Sequence, residues 1–199
     1  MLADFNYFGE TTMKHISTFT KALIAVSALA CAQLAFAQSK NLSVPLRVQE
    51  HSQWCWAGAS QMVLNFFGKT PTQCAEVNYA KGINYACGNS TFNWNSYANQ
   101  PNTTNAITYI LNGWNVSSSV VGRLSQSSST SRINNNRPYI LLWQWTGGGG
   151  HFVVVKGYSN SGATLYINDP WPGNGSYVRS YSSTASASDR YWYNTAVVN

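Results

Sequence analysis

Apolar residues recur at helical spacing at the start of the central part of the chain. Between Cys55 and Phe67 they fall on one side of a helix, where Met62, Val63 and Phe66 lie together. Gly68 follows directly, and glycine commonly ends a helix because it adopts the left-handed conformation without steric strain. The pattern therefore predicts a first helix that begins at or near Cys55.

Two further helices are predicted from capping signals. Thr70-Pro71 predicts a capped start for a helix over about 72–81, which Gly82 would end. Thr103-Thr104 would cap a third helix that runs to about Leu111. The intervening residues lack a clean period and are expected to form a loop. A serine-rich stretch further on fits either a weak helix or a loop.

After Pro138 the pattern changes to short runs rich in β-branched and aromatic residues, which is typical of strands. Helices followed by strands in a chain of this size predict one α+β domain, in which a helical half packs against an antiparallel sheet and a cleft lies between them. Five strands are predicted, over Tyr139–Trp145, His151–Gly157, Ala163–Asn168, Tyr177–Tyr181 and Tyr191–Val198.

Residues 1–37 have the features of a secretory signal peptide rather than of a folded segment. Met13 offers a second start, and a basic residue precedes an apolar run over 22–32 that is too short to span a membrane. Ala35-Phe36-Ala37 matches a small-x-small cleavage site. We expect residues 1–12 to be an upstream mis-assigned start, cleavage after Ala37, one domain over 38–199, and a secreted or periplasmic product.

Composition and charge indicate which kinds of binding partner to expect. The net charge is +6 at pH 7, but the basic residues are scattered, so we expect attraction to anionic surfaces at most and no nucleic-acid binding. No second long apolar run follows the leader, so we predict no stable membrane association, and we expect a monomer. No metal and no cofactor are predicted, because the histidines and cysteines lack ligand spacing and Gly147–Gly150 lacks the setting of a phosphate-binding loop.

The cysteine count points to one unpaired thiol. Cys31 leaves with the leader, and an odd number of cysteines then remains in an oxidising compartment. Cys74 and Cys87 are thirteen residues apart and flank a predicted helix and loop, so they can form a disulfide. Cys55 is left as the free thiol, and catalysis is the commonest reason to keep one in an exported protein.

Cys55 also lies where a cysteine is expected to react. The positive end of a helix dipole and its unpaired backbone N–H groups favour a thiolate, which is the nucleophilic form. Gln49 lies six residues upstream and can fold back to offer its side-chain NH2 to an oxyanion. The competing interpretation is a buried structural cysteine between two core tryptophans, Trp54 and Trp56.

A base and an orienting group are found among the strands. His151 begins one predicted strand, Asp169 ends the next, and the turn between them is centred near residue 160. In a regular hairpin the two would be directly opposed on one face, with Cβ atoms about 5 Å apart, while Asn168 would lie on the other face. His151 would then take the proton of Cys55, and Asp169 would orient the imidazole. Taken singly, each residue has an ordinary structural interpretation.

These positions resemble the papain-like cysteine peptidases. The shared features are Gln49 six residues before Cys55-Trp56-Ala57 at a helix start, and His151 on a glycine-preceded strand with Asp169-Pro170 ending the next. They are similar to the small bacterial members, which include plant-pathogen effector peptidases, staphopains and bacteriocin-leader peptidases. The resemblance implies a papain-like fold, a Cys–His–Asp triad, Gln49 in the oxyanion hole, and endopeptidase activity through a thioester acyl-enzyme.

Two departures from papain itself bear on the expectation. Papain has asparagine as the third residue of its catalytic triad, so an aspartate at position 169 fits the bacterial branches only. The segment between Ala37 and Gln49 is too short for the inhibitory pro-domain that many relatives carry. We therefore expect either an enzyme exported in active form or restraint by a separate inhibitor protein, and a protein or peptide as substrate.

Two other functions fit the same residues. A Cys–His–Asp set also serves transglutaminases, deamidases and peptidoglycan amidases, which the residues alone do not separate from a peptidase. A non-catalytic, aromatic-rich module that binds glycan or protein is the third interpretation. A reactive thiol at Cys55 would argue against this binding module, and a panel of peptide substrates would separate peptidase activity from other acyl transfer.

Overall fold

The computed structural model describes residues 38–88 and 91–199, so the predicted signal peptide lies outside the described residues. The helices of this part are α1 (Cys55–Phe66), α2 (Gln73–Lys81), α3 (Thr104–Gly113), α4 (Gln126–Asn134) and α5 (Tyr181–Ala185). Its strands are β1 (Lys40–Asn41), β2 (Ser118–Gly122), β3 (Tyr139–Trp145), β4 (Gly150–Ser159), β5 (Thr164–Asp169), β6 (Gly175–Ser180) and β7 (Arg190–Val198). Short 3-10 helices lie at Tyr97–Asn99 and Asn160–Gly162.

The strands form one antiparallel sheet against which the helices pack. The strand order is β2-β7-β3-β4-β5-β6, and β1 pairs with the far end of β4. Helix α1 packs on β4 and β3, and α3 packs on β2 and β7. The buried apolar side chains of both layers form one core. This confirms the predicted α+β arrangement of helices against an antiparallel sheet.

The helix starts follow side-chain capping, although one cap was assigned to the wrong threonine. The cap of α2 is Thr72, whose hydroxyl accepts the backbone N–H of Ala75 at 3.3 Å, and not Thr70. Thr103 caps α3 as predicted, by accepting the N–H of Ala106 at 3.3 Å. The serine-rich stretch is the helix α4, which Ser125 caps.

The predicted register between β4 and β5 is wrong by two residues. The observed pairs include Val155 with Ile167 and Val154 with Asn168. The turn is a 3-10 helix that contains left-handed Ser161, and the register slips again between Val155 and Gly157. Because side chains alternate with period two, a shift of two residues keeps each side chain on its predicted face. His151 and Asp169 therefore share a face, but they meet diagonally rather than directly opposed.

The structure also contains two elements that the sequence pattern did not predict. Neither the edge strand β2 nor the short helix α5 was predicted from the pattern. Residues Gln38–Asn199 form one compact unit. Over the described residues, no helix is both long enough and apolar enough to cross a membrane.

The predicted disulfide joins Cys74 to Cys87, and Cys55 is a free cysteine. The bond ties the first turn of α2 to the loop beyond its end. Since a closed loop of this length restricts the unfolded chain, replacing both Cys74 and Cys87 by serine should lower the free energy of unfolding by about 2–3 kcal/mol. Urea unfolding of the double variant measures the loss. Unchanged stability would show that the bond does not restrain the unfolded chain.

Glu76, in the first turn of α2, has a buried carboxyl group whose two oxygens have no hydrogen-bond partner among the described residues. Burial first, and the charge of Glu50 second, raise the pKa of Glu76 well above its usual value. An acid with a raised folded pKa destabilises the fold as pH rises above its unfolded pKa, by about 1.4 kcal/mol per pH unit until the folded pKa is reached.

We therefore expect the neutral variant Glu76→Gln to gain stability relative to wild type as pH rises from 4 to 8. Thermal unfolding across this pH range measures the difference between the two proteins. A constant difference would mean that Glu76 has the same pKa in the folded and unfolded chains. Glu50→Gln is the matched control, because it removes only the second cause and should give a smaller change.

Candidate active site

Cys55 is the first residue of α1, and the helix start around it is unusual for this chain. The residue before it, Trp54, gives no side-chain cap, and no acidic residue lies in the first turn. The other four described α-helices each begin with a capping Thr or Ser. The N–H groups and dipole of α1 are therefore not compensated by the protein's own side chains, which favours an anion such as a thiolate at Cys55.

The segment before Cys55 is fixed by the short 3-10 helix at Tyr97–Asn99. The Trp54 indole N–H donates to the carbonyl of Ala98 at 2.8 Å. Asn99 accepts the backbone N–H of Gln53 at 3.1 Å and donates to Ser52 Oγ at 2.9 Å. Trp54 is fully buried, as its core interpretation requires. The positioning role of Asn99 was missed, because it lies in a stretch with no hydrophobic period.

His151 and Asp169 form a buried hydrogen-bonded pair. His151 Nε2 and Asp169 Oδ1 are 2.7 Å apart, and the residues are 8% and 2% exposed. This contact occupies Nε2, so Nδ1 is the ring nitrogen left for Cys55, with which His151 also interacts. The ring of Trp171 stands edge-on to the imidazole at 6.1 Å between centroids. The structure thus brings Cys55, His151 and Asp169 together.

Asp169 is held in place by three further donors. The backbone N–H of Trp171 donates to Oδ1 at 2.9 Å, and Asn174 Nδ2 and the Tyr177 hydroxyl donate to Oδ2 at 2.9 and 3.2 Å. Burial alone would raise the pKa of Asp169, but the hydrogen bonds and the His151 charge lower it overall. Asn174 and Tyr177 were not predicted. The signal for them is weak, since it amounts to an Asp-Pro turn followed by an amide five residues after Asp169.

The protonation of His151 follows from two opposed effects. Burial lowers the pKa of His151, whereas hydrogen bonds and charge interactions with Asp169 and Cys55 outweigh burial and raise the pKa to about 9. The imidazole is therefore protonated at neutral pH. A protonated imidazole beside a thiol at an uncapped helix start can stabilise a thiolate and can later donate a proton.

Gln49 is buried close to the loop that leads to Cys55, but its amide already has partners. Nε2 donates to the carbonyl oxygens of His51 and Ser52, at 2.9 and 3.0 Å. Oε1 is buried with no hydrogen-bond partner in the described part of the chain. The backbone N–H of Gln49 donates to the carbonyl of Pro170 at 2.8 Å. This last bond links the segment before the helix to the turn that follows Asp169.

Gly58, one turn into α1, lies at a tight contact between these same segments. A Cβ atom built there would be 2.9 Å from the Cβ of Pro170 and 3.5 Å from the backbone of Gln49. Gly58→Ala should push the turn after Asp169 away from α1. We expect kcat/KM to fall at least about 10-fold and stability to fall by about 1–3 kcal/mol.

Gly122→Ala is the matched control, because a Cβ there would meet nothing within 4 Å. Steady-state kinetics and thermal unfolding of both variants measure the two effects. Full activity in Gly58→Ala would show that the contact with Pro170 has no influence on the geometry of the His151–Asp169 pair.

Two depressions meet at the site. A groove of about 780 Å³, here called the Trp143 groove, is lined by His151, Asp169, Trp143 and Trp171 among others. A smaller pocket of about 290 Å³, here called the Cys55 pocket, is lined by Cys55 with residues of the segment Pro101–Thr104 and of β3, β4 and β7. Gly150 lines both depressions. Cys55 and His151 therefore stand between two separate binding spaces.

Helices packed on an antiparallel sheet, with a free thiol at a helix start beside a buried His–carboxylate pair, define the class of papain-like cysteine peptidases. Residues 41–198 match the Peptidase_C39 like family. The chain belongs to this family and is a cysteine-type peptidase.

Solved structures show the same fold at low sequence identity. A putative C39-like peptidase from Bacillus anthracis is 15% identical, with a TM-score of 0.60, over 81% of this chain and 98% of that one. The peptidase domain of Streptococcus ComA, a bi-functional ABC transporter of a quorum sensing pathway, is 15% identical, with a TM-score of 0.54, over 78% and 98%. A double glycine motif protease from an AMS/PCAT transporter, in complex with the leader peptide, is 18% identical, with a TM-score of 0.53, over 80% and 94%. No curated protein matches the chain.

Proposed function

We propose that the protein is a secreted cysteine endopeptidase that hydrolyses peptide bonds through a thioester acyl-enzyme on Cys55. The observation that supports this most strongly is the placement of His151, which contacts Asp169 through Nε2 and interacts with Cys55 at the uncapped start of α1. A nucleophile, a proton carrier and an orienting carboxylate are thus arranged in order.

The first half of the reaction forms the acyl-enzyme. The Cys55 thiolate attacks the scissile carbonyl carbon, a C–S bond forms, and the carbonyl oxygen becomes an oxyanion. The His151 imidazolium then donates its proton to the leaving nitrogen, and the C–N bond breaks as the amine product leaves. The backbone N–H of Cys55, the first residue of the helix, has no partner within the helix and can donate to the oxyanion.

The second half releases the acid product. Neutral His151 takes a proton from water as the oxygen attacks the thioester carbon, and the C–S bond breaks to regenerate the thiolate and the imidazolium. Asp169 keeps the ring oriented and stabilises its charged form in both halves. Gln49 joins the oxyanion hole when its NH2 exchanges one of its bonds to the His51 and Ser52 carbonyls for a bond to the oxyanion.

We extend the proposal to the context of the enzyme. The leader features of residues 1–37 support export, with a periplasmic or extracellular monomer as the product. The enzyme is either exported in active form or restrained by a separate inhibitor protein. The substrate is a protein or peptide. One of the similar solved structures is a double glycine motif protease in complex with the leader peptide, so peptides that contain a double glycine belong in the first substrate panel.

Labelling with an epoxide inhibitor of papain-type peptidases tests the proposal. We expect a single adduct on the mature protein, located at Cys55 by peptide mapping and absent from the His151→Ala variant. An unlabelled sample of the same protein should cleave peptides at bonds in the interior of the peptide chain without incorporating added amines. Incorporation of amines would indicate a transglutaminase instead. An accessible Cys55 that forms no adduct would contradict the proposal.

A further inference from the structure

We propose that the Trp143 groove binds a carboxylate of the substrate on the leaving-group side, within two residues after the scissile bond. The carboxylate is either an acidic side chain or the C-terminus of a short leaving peptide. This inference rests on the proposed peptidase function and deepens it, because it assigns the chemistry that the enzyme selects beyond the bond it cuts.

The position of the groove identifies which part of the substrate it holds. In the acyl-enzyme the acyl part stays on the sulfur of Cys55, which lines the Cys55 pocket. The leaving nitrogen has to face the imidazolium of His151, because that group donates the proton. His151 and Asp169 line the Trp143 groove. The leaving part of the chain therefore passes over His151 into this groove.

The groove carries two guanidinium groups held against tryptophan rings. Arg190, at the start of β7, lies 4.7 Å from the ring centroid of Trp143 and 5.3 Å from that of Trp145. Arg179, on the edge strand β6, approaches the ring of Trp143 at 5.5 Å. Stacking on aromatic faces restricts the orientation of a guanidinium while leaving its N–H groups available to a ligand.

Little negative charge offsets these two arginines. Arg179 has no carboxylate partner in the described ranges, and Arg190 pairs only with the adjacent Asp189, at 2.8 Å. The Nε atom of Arg190 is buried without a hydrogen-bond partner in the same ranges. Asp169 also lines the groove, but its oxygens already accept hydrogen bonds from four donors. The groove thus presents the guanidinium group of Arg179, which no carboxylate of the described residues offsets, to whatever enters it.

A carboxylate is the group that fits this arrangement. Guanidinium groups bind planar carboxylates through paired, charge-assisted hydrogen bonds. The competing possibility, that the arginines only brace the tryptophans, predicts no effect of substrate charge at these positions.

Matched quenched peptides test the proposal. Cut sites are first mapped in a peptide library by mass spectrometry, and one efficiently cut sequence is remade with Glu, Gln or Lys at the first and second residues after the bond. A further pair of short peptides ends two residues after the bond, one as the free acid and the other as the amide. We expect kcat/KM to be at least 10-fold higher for Glu than for Gln, and lowest for Lys. The short pair shows whether a C-terminal carboxylate serves equally well.

The variants assign the preference to the groove. Arg179→Gln should reduce the preference for Glu over Gln to less than 3-fold, mainly by slowing cleavage of the Glu peptide. Arg179→Glu should favour the Lys peptide. Arg137→Gln is the matched control, because Arg137 is exposed beside the end of β3 that is remote from Trp145, and it should leave the preference unchanged.

The outcomes separate this inference from the proposed function. Equal cleavage of the Glu and Gln peptides by an active enzyme overturns the carboxylate site and leaves the peptidase proposal intact. If no library peptide is cut, one library peptide remade with either Glu or Gln is compared by its affinity for the Cys55→Ala protein. A preference for Glu that Arg179→Gln removes supports the site without catalysis, and equal affinity overturns it.

Discussion

Cys55→Ala should lower kcat for peptide hydrolysis by at least about 10⁴-fold, because no other described group is placed to form the acyl-enzyme. The expected stability change is small, since Cys55 is only partly buried and begins the helix rather than filling the core. Cys55→Ser should be almost as inactive, because a hydroxyl is far less acidic than a thiol and the same imidazolium cannot hold it ionised. Single-turnover assays with a cleavable peptide measure both losses.

The double variant of Cys74 and Cys87 is the control for general loss of cysteine. It is expected to be less stable but to keep its activity at a temperature where it remains folded. Residual hydrolysis above about 1% in a properly folded Cys55→Ala preparation would identify some other group as the nucleophile.

Asp169→Asn should lower activity at pH 8 by at least about 100-fold and narrow the active pH range from its alkaline side. Burial lowers the pKa of His151, and the interactions with Asp169 and Cys55 raise it to about 9. Without the carboxylate charge, less opposes the lowering of the His151 pKa by burial. The imidazolium therefore loses its proton at a lower pH. The alkaline limb of kcat/KM, expected near pH 9 in the wild-type enzyme, should therefore move toward neutral pH.

Tyr177→Phe is the matched control for this effect. It removes one donor to Asp169 but keeps the carboxylate and its charge. We expect a loss of less than about 10-fold and an alkaline limb within about half a pH unit of wild type. Identical pH profiles for wild type and Asp169→Asn would contradict the assignment of Asp169 as the group that keeps His151 protonated.

The His151–Asp169 pair should also make the stability of the fold depend on pH. The raised pKa of His151 contributes stability below the unfolded value of 6.5, and this contribution is lost as pH rises toward about 9. The lowered pKa of Asp169 contributes above the unfolded value of 3.8 and is lost as pH falls through the folded pKa. The cost of Asp169→Asn to stability should accordingly be greatest between about pH 4 and 6.5.

Sequence patterns identified most of the fold because its helices and inner strands carry strong periodic or capping signals. The helix that starts at Cys55 and the strands β3, β4, β5 and β7 were found for this reason. The edge strand β2, Ser118–Gly122, was missed because it is short, half exposed and serine-rich. The cap of α2 was misplaced because Thr70 and Thr72 both precede the helix, and only the side-chain contact with Ala75 separates them.

Part of the candidate site was predicted correctly although the predicted register between β4 and β5 was wrong. The two residues His151 and Asp169 were placed on one face by parity, and the two-residue register shift preserved parity. The donors Asn174 and Tyr177 were not found, because their contact with Asp169 depends on the path of the turn after Pro170. Short-range patterns do not encode such a path.

The uncapped start of α1 sets a limit on engineering this protein for heat resistance. Replacing the residue before a helix with Ser, Asp or Asn is among the most dependable stabilising substitutions and is commonly worth about 1 kcal/mol. At position 54 such a residue would occupy the N–H groups that favour an anion at Cys55, and it would also remove a buried indole that anchors the segment at Ala98. Loss of a buried tryptophan costs about 3–5 kcal/mol, which exceeds the gain from a cap. A capping substitution at position 54 should therefore lower both stability and activity, and the other described α-helices already begin with a capping Thr or Ser.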